Sequence, residues 1–303
     1  MDLWIDTDAG FDDLLALLIV AHTGTPVDGI SLVFGNSTID HVAENAASAV
    51  AAFGLGAPVY IGRAASVLGT AETAQRVLGD SGILSSGPPL PPGPHPTGDA
   101  FSALCDWLSG PGPHTVLALG PLTNIAALAL ARPDLAARIT SLVWMGGGVT
   151  AGNHTASAEF NAFADPEAVA IVLGHRLPLK MVDLDLCRQV TATPADVAPV
   201  LGAGGPNAEA LAGMFGAFID IAISRGRHEM ALYDAAAAIA VVRPDLVTFT
   251  PAHIAMELAG THTRGRTVVD RRTPANANAE VATAIDAPAA RALVLAALEA
   301  AAR

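Results

Sequence analysis

The sequence contains few basic residues, and Lys180 is its only lysine. Lysine and arginine together number 16 against 29 aspartate and glutamate residues, which gives a formal net charge of -13. Proteins that bind nucleic acids or anionic membranes concentrate basic side chains on one surface. No basic cluster is found in this chain, so these two classes of partner are not expected. The acidic balance favours a cation or a neutral small molecule instead.

Cysteine is also scarce, since only Cys105 and Cys187 are present, and their positions match neither a disulfide framework nor a zinc site. No apolar run is long enough to span a bilayer, because the Ala-rich stretch after Tyr233 is interrupted by Asp234 and Arg243. The first residues lack the basic segment and apolar core of a secretory signal. We therefore expect a cytoplasmic protein with two reduced thiols.

Apolar residues are abundant, at 51% of the 303 residues. Short β-branched runs predict strands at residues 3–5, 30–34, 59–61, 115–119, 142–145 and 179–182. Longer Ala- and Leu-rich runs predict helices at residues 12–21, 39–53, 99–108, 122–131, 166–173 and 288–302. This alternation predicts an α/β fold, a mostly parallel central sheet flanked by helices on both faces.

We expect one domain that covers residues 1–303. The Pro- and Gly-rich stretch at residues 85–98 is typical of a surface loop and not of a domain linker. Beyond Pro194 the sequence predicts no new strand–helix series, although residues 254–258 and 267–269 have the composition of edge strands.

Four aspartates lie close together in the run Asp6-Thr7-Asp8-Ala9-Gly10-Phe11-Asp12-Asp13. The run joins an apolar strand to an apolar helix, and open α/β sheets bind ligands at this end of a strand. Two carboxylates ~4 Å apart repel by roughly 4 kcal/mol at an effective dielectric of ~20, so a divalent cation is the simplest way to hold several together. The alternative is that Asp8 and Asp12 only cap the helix. One cap needs one acid, however, so we favour a metal site.

Five further segments follow this run along the chain: Phe34-Gly35-Asn36, Leu119-Gly120-Pro121-Leu122-Thr123-Asn124, Trp144-Met145-Gly146-Gly147, Gly152-Asn153-His154-Thr155 and Glu159-Phe160-Asn161-Ala162-Phe163-Ala164-Asp165-Pro166-Glu167. Together with the aspartate run, they resemble the motifs of the nucleoside hydrolases, the inosine-uridine-preferring ribohydrolase family. The resemblance extends from Asp6 to about Asp234. In the first motif Ala9 stands where the family usually has proline.

The resemblance implies a set of metal and substrate ligands. Ca²⁺, which prefers oxygen donors, is expected to be bound by three carboxylates and one backbone carbonyl, those of Asp8, Asp13, Asp234 and Leu119. The ribose hydroxyls and the rest of the nucleoside are expected to contact Asp12, Asn36, Met145, Asn153, Glu159, Phe160, Asn161 and Arg225. The alternative for the asparagines is a turn or an irregular loop without a ligand.

The reaction that the resemblance implies is hydrolysis of the N-glycosidic bond of a ribonucleoside to ribose and a free base. Such a reaction needs an activated water, stabilisation of an oxocarbenium-like transition state and help for the departing base. A divalent cation lowers the pKa of a nearby water, so Asp8 can accept the water's proton near neutral pH. Direct attack of this water inverts the anomeric centre.

The residues that activate the leaving base depart from the family pattern. Relatives have a histidine immediately before the last metal-binding aspartate, where this chain has Tyr233, and a second histidine where it has Leu78. A phenol, with a reference pKa of ~10, is a poor proton donor. Tyr233 either contacts the leaving base or only forms the pocket wall. Arg225, Arg227 and His228 are alternative donors, unless they belong to a solvated loop.

Two other functions fit part of the sequence. Phosphohydrolases of the haloacid dehalogenase type also have an Asp-x-Asp after a first strand, but they need a lysine near the phosphoryl group, and Lys180 is far along the chain. A nucleoside- or ribose-binding protein without turnover is favoured only by the two missing histidines. The resemblance also implies a homo-oligomer, a dimer or a tetramer.

Overall fold

The computed structural model describes residues 2–303. Its strands are β1 (Asp2–Thr7), β2 (Gly29–Leu32), β3 (Val59–Ile61), β4 (Gly98–Asp99), β5 (His114–Ala118), β6 (Ile139–Met145), β7 (Leu179–Val182), β8 (Thr191–Ala192), β9 (Met230–Ala231), β10 (Val247–Met256), β11 (Thr267–Asp270) and β12 (Ala279–Ile285). Its helices are α1 (Phe11–His22), α2 (Ile39–Phe53), α3 (Gln75–Leu78), α4 (Ala100–Ser109), α5 (Thr123–Ala131), α6 (Pro133–Ala136), α7 (Phe160–Ala164), α8 (Pro166–Gly174), α9 (Leu184–Cys187), α10 (Val197–Gly202), α11 (Ala208–Ser224), α12 (Tyr233–Val242) and α13 (Ala287–Ala301).

The central sheet has ten strands in the order β11-β10-β12-β7-β6-β5-β1-β2-β3-β4. Every neighbouring pair from β12 to β4 is parallel, whereas β10 runs antiparallel to both β11 and β12. Because β1 lies between β5 and β2, the carboxyl ends of these strands meet at one edge of the sheet. The loops that follow them are therefore neighbours in space.

Two apolar cores cover the two faces of the sheet. Side chains alternate along β1, so that Leu3 and Ile5 join one core while Trp4 joins the other. The first core contains α1 together with α11, α12 and α13, and the second contains α4, α5 and α8. The predicted fold class, a single α/β domain with a mostly parallel sheet and helices on both faces, is confirmed.

The prediction for the chain beyond Pro194 is confirmed for the C-terminal helix, α13, but was wrong for most of the elements before it. Among the described residues there are three helices that were not predicted, α10 to α12, as well as strands β9 and β12. Helix α11 is mostly apolar, and eleven of its 17 residues, among them Met214, Phe215 and Phe218, are buried, so its sequence shows only a weak amphipathic period. Strand β12 pairs in parallel with β7, which local sequence patterns do not reveal.

The two predicted edge strands had different outcomes. Residues 267–269 do form the edge strand β11, but residues 254–256 belong to β10, which lies between β11 and β12 and begins at Val247. Among residues 2–303 no helix is long and apolar enough to cross a membrane.

Candidate active site

A cavity of about 240 Å³ opens at the carboxyl edge of the central strands. Its lining includes twelve of the residues that the sequence predicted for the site: Asp8, Asp12, Asn36, Leu119, Met145, Asn153, Glu159, Phe160, Asn161, Arg225, Tyr233 and Asp234. Asp13 does not reach the lining, because it is fully buried beneath it. The chain therefore brings all the predicted residues to one place, from loops that are far apart in the sequence.

The turn between β1 and α1 has an unusual backbone. Ala9 has φ 40°, in the left-handed region that a proline, with φ fixed near −65°, cannot adopt. Two hydrogen bonds hold this residue, since its N–H donates to Thr7 Oγ1 (3.1 Å) and its carbonyl accepts from Asn45 Nδ2 (3.1 Å). At the next residue, Gly10, a Cβ would lie 2.3 Å from Asn36 Nδ2, so any larger residue would displace the Asn36 side chain that donates to Asp13. The turn is thus shaped to bring β1, α1 and the loop after β2 together.

Asp13 organises the turn through its two carboxylate oxygens. Oδ1 accepts hydrogen bonds from Thr7 Oγ1 and from the N–H of Asp8 (3.2 Å). Oδ2 accepts from the N–H of Gly10 (2.8 Å) and from Asn36 Nδ2 (2.9 Å). The position of Asp13 is therefore fixed relative to both the first and the second strand.

The acidic side chains form a tight group. Carboxylate oxygens of Asp12, Asp13 and Asp234 lie within 4.8 Å of one another. The sequence analysis assigned Asp8 to the metal and Asp12 to the ribose. In the structure, Asp12 and not Asp8 lies in the tight group with Asp13 and Asp234. Asp8 lines the same cavity, where its Oδ2 accepts a hydrogen bond from the N–H of Asn36 (2.7 Å).

Burial and mutual repulsion raise the pKa values of three acids at the cavity, Asp8, Asp12 and Asp234. Burial is the larger cause for Asp8 and Asp234, whose pKa values lie well above the usual range, and neighbouring carboxylates add to it. Burial and then the charge of Asp13 raise the pKa of Asp12 to about 7. Without a cation these three side chains retain protons near neutral pH, whereas a divalent cation favours their charged forms.

The opposite side of the cavity is built around Glu159. This residue caps α7: its Oε1 accepts from the N–H of Asn161 (2.8 Å), and its Oε2 accepts from the N–H groups of Ala162 (2.9 Å) and Gly147 (2.8 Å). Burial raises the pKa of Glu159 to about 7. The three hydrogen bonds join the loop after β6 to the start of α7, so Glu159 positions its neighbours as well as lining the cavity.

Asn161 links this loop to the strand ends. Its Nδ2 donates to the carbonyl of Leu119 (2.6 Å) and to the carbonyl of Met145 (3.0 Å). Asn153 orders the preceding segment, because its Oδ1 accepts from the N–H of Phe160 (3.0 Å). A carbonyl oxygen has two lone pairs, so Leu119 can bind a cation and accept from Asn161 at once.

Tyr233 and the arginines occupy the remaining wall. Tyr233 lines the cavity with Arg225, Arg227 and Leu78, whereas His228 is exposed and is not part of the lining among the described residues. Burial, the largest cause, raises the pKa of the Tyr233 phenol and makes it a poorer acid. Arg225 and Arg227 are exposed and lie at the opening.

Two motif residues serve the framework and not the cavity. Asn124 donates from Nδ2 to Asp6 Oδ1 (2.7 Å) and to the carbonyl of Leu32 (3.0 Å), and its Oδ1 accepts from the N–H of Arg63 (2.9 Å). Burial raises the pKa of Asp6 to about 7. This network joins α5 to β1 and β2 and so fixes the positions of these strands relative to the helix.

Sequence reasoning missed one part of the cavity, the segment around α3. Thr73, Ala74, Arg76 and Val77 line it, next to the predicted Leu78. The only signal was their position beside the place where relatives have a histidine. On the other side, Phe218 of α11 also lines the cavity, in a helix that the sequence did not predict.

The family model described as inosine-uridine preferring nucleoside hydrolase matches residues 3–292. This chain belongs to the nucleoside hydrolase family. Members of the family hydrolyse the N-glycosyl bond of ribonucleosides.

Individual nucleoside hydrolases resemble the chain over most of its length. The pyrimidine-specific ribonucleoside hydrolase RihB of Escherichia coli O157:H7 is 31% identical over 271 residues, which cover 88% of this chain and 86% of RihB. The structure of the purine-preferring ribonucleoside hydrolase from Gardnerella vaginalis superposes with a TM-score of 0.91 at 26% identity, covering 100% of this chain and 99% of the other. An inosine-guanosine nucleoside hydrolase gives a TM-score of 0.85 at 27% identity, with 99% and 98% coverage.

Proposed function

We propose that this nucleoside hydrolase uses Ca²⁺ to hydrolyse ribonucleosides to ribose and a free base, with Asp8 as the general base. The observation that supports this proposal most strongly is the tight group of Asp12, Asp13 and Asp234 beside Asn36 and Asn161. The group combines several carboxylates for a cation with amides for hydroxyl groups. Both lie at the sheet edge where α/β proteins bind ligands.

The donor chemistry fits calcium. Carboxylate oxygens of Asp8, Asp13 and Asp234 and the carbonyl of Leu119 form the all-oxygen set that Ca²⁺ prefers over softer metals. The raised pKa values of the buried carboxyls indicate an excess of negative charge that a cation would neutralise. When bound, the ion supplies positive charge that fixes the ribose diol and acidifies a neighbouring water.

The side chains of this protein then perform the remaining steps at the sugar. Asp12, Asn36 and Asn161 hold the 2′- and 3′-hydroxyls, while Asn153, Glu159 and Met145 surround the 5′-hydroxyl. Asp8 accepts the proton of the attacking water, and it is oriented for this by the N–H of Asn36. Positioning the sugar against the water converts a bimolecular reaction into a unimolecular one, which is a large part of the rate enhancement.

At the base, we assign substrate contacts to Phe160, Tyr233 and Arg225, all of which line the cavity. Tyr233 stacks on the base or donates a hydrogen bond to it. Its raised pKa disfavours a role as the sole proton donor. The cytoplasmic location and the homo-oligomeric state remain predictions from the sequence and the family resemblance.

The phosphohydrolase alternative is disfavoured by the position of Lys180. Its Nζ lies 3.7 Å from Glu280 Oε2 and 5.4 Å from the ring centre of Phe249, and the residue does not line the cavity. A phosphoryl group at the aspartate run would therefore have no lysine beside it.

One assay separates the remaining alternatives. The protein is incubated with purine and pyrimidine nucleosides and with p-nitrophenyl riboside, before and after chelation. Base release that is lost with chelator and restored by Ca²⁺ supports the proposal. Saturable nucleoside binding with no release supports a binding protein, and phosphatase activity alone supports a phosphohydrolase.

A further inference from the structure

His154 is the one histidine in the described lining of the cavity. Its Nε2 lies 3.5 Å from Glu72 Oε1, and its side chain is 19% exposed. The imidazole contacts two aromatic rings of α7, with centroid distances of 5.4 Å to Phe160 and 4.5 Å to Phe163. The arrangement joins the segment before α3 to the segment before α7. A carboxylate on one ring nitrogen and a cavity beside the ring are typical of a histidine that transfers protons.

We propose that His154, oriented by Glu72, is the acid that protonates the departing base. The inference rests on the proposed nucleoside hydrolysis and supplies the group that it lacks, since Tyr233 and Leu78 stand where relatives have histidines. The other polar groups near the base cannot take this role. An arginine such as Arg227 does not release its protons in proteins. The phenol of Tyr233 is too weak an acid.

The position of His154 suits this role because of the shape of a β-nucleoside. The base and the 5′-carbon lie on the same face of the ribose ring. Asn153, the residue before His154, is expected at the 5′-hydroxyl, and the His154 side chain lines the same cavity. Because Nε2 is directed to Glu72, the other ring nitrogen, Nδ1, is left for the substrate. No described residue hydrogen-bonds to it.

The step is balanced with the proposed chemistry at the sugar. The bond between C1′ and the base nitrogen breaks, and its electron pair goes to the base. Water adds its oxygen to C1′ and gives a proton to Asp8, while imidazolium Nδ1 gives a proton to a ring nitrogen or an oxo oxygen of the base. Ribose and neutral base leave, and proton exchange with solvent resets both side chains.

The surroundings of His154 control the pH range in which it carries a proton. Burial, the largest cause, lowers the pKa of the imidazole, the Glu72 carboxylate raises it, and the Arg76 guanidinium lowers it. The protonated form therefore prevails only on the acidic side of the usual histidine range. Nucleoside hydrolysis is expected to decline as the pH rises through the pKa of His154.

The first test compares two leaving groups in one variant. His154→Gln keeps a hydrogen-bonding side chain but cannot protonate the base, so kcat for nucleosides should fall about 100-fold or more. Nitrophenolate leaves as a stable anion, so the rate with p-nitrophenyl riboside should change less than about twofold. His253→Gln is the matched control, since His253 is exposed and lies outside the cavity. It should match the wild type on both substrates.

The second test moves the pH profile in opposite directions. Glu72→Gln removes the carboxylate that raises the pKa of His154, so the alkaline limb of kcat for nucleosides should shift to lower pH. Arg76→Met removes a cation that lowers this pKa, so the limb should shift to higher pH. Both variants change charge near the surface, and NMR titration of the His154 ring measures the same shifts independently of activity.

Three outcomes decide between the possibilities. Selective loss of nucleoside hydrolysis in His154→Gln, with opposite shifts in the two charge variants, supports the inference. Equal loss of both substrates in a folded His154→Gln protein would mean a structural role, and unchanged nucleoside hydrolysis would mean no role, so either result overturns it. A wild-type protein that cleaves neither substrate with Ca²⁺ would instead refute the proposed hydrolase function itself.

Discussion

Asp234→Asn should stabilise the protein in the absence of calcium while it abolishes activity. The Asp234 side chain accepts no hydrogen bond from the described residues, and it is opposed by the charges of Asp12, Asp13, Asp8 and Glu159. Asparagine therefore removes repulsion and loses no contact. With oxygens within 4.8 Å of each other, a pair of charged carboxylates repels by about 3 kcal/mol at an effective dielectric of ~20.

The expected shift in melting temperature follows from the size of the protein. For 303 residues the unfolding entropy is about 0.6 kcal/mol/K, so relief of one such pair raises the Tm by about 5 °C. The assay is calorimetric unfolding at pH 8 in chelator, where the carboxylates repel most. The same scans are then repeated with excess Ca²⁺. At a Ca²⁺ concentration 100 times the Kd, binding of the ion should stabilise the wild type by about 3 kcal/mol and the variant far less.

Asp220→Asn is the matched control, because Asp220 is exposed on α11 and lies outside the cavity. It should leave both the Tm in chelator and the response to Ca²⁺ unchanged. A lower Tm for Asp234→Asn than for the wild type in chelator would show that the group is not under electrostatic strain. An undiminished calcium response in this variant would show that Asp234 does not bind the ion.

Three further predictions concern the residues around the cluster. Gly35→Ala places a Cβ 2.1 Å from Asp8 Oδ2 and should lower kcat about 100-fold or more in a folded protein, whereas Gly56→Ala, with nothing within 4 Å, should match the wild type in the same assay. Glu159→Gln turns an amide N–H₂ towards backbone N–H donors such as the N–H of Gly147. Each backbone donor left unpaired costs about 1–3 kcal/mol, so this variant should have a Tm lower by several degrees and a higher KM for ribosides. In chelator the wild-type Tm should fall as the pH rises from about 4.5 to 7, because Glu159 keeps a proton in the folded state (pKa about 7) that the unfolded chain releases. A Tm that rises over this pH range would contradict the raised pKa of Glu159.

The first half of the fold could be predicted because its signals are local. In residues 2–182 each strand of the parallel sheet except β4 contains a short apolar run, and most are followed by a helix of clear composition, as with β1 and α1. The later elements depend on distant partners. Strand β12 is held by β7 and β10, and eleven of the 17 residues of α11 are buried, so neither element shows the clear sequence period of an isolated amphipathic strand or helix.

The site also has a part that local motifs predict and a part that depends on distant contacts. Asp8, Asp12 and Asp13 lie within one turn of chain, and Glu159 and Asn161 within another, so their sequence motifs predicted their association. The contact between Glu72 and His154 joins two irregular segments that no motif links. Likewise, the left-handed backbone of Ala9 results from hydrogen bonds to Thr7 and Asn45, and alanine composition gives no sign of it.

The most direct test of the account is a calorimetric titration of chelator-treated protein with Ca²⁺, with and without saturating ribose. We predict one ion per chain and a higher calcium affinity when ribose is present, because a favourable contact between two bound ligands raises the affinity of each by the same factor. Base release from nucleosides should return in proportion to the bound ion. No saturable uptake of Ca²⁺, or an affinity that ribose leaves unchanged, would contradict the claim that the aspartate cluster binds calcium and that calcium binds the sugar.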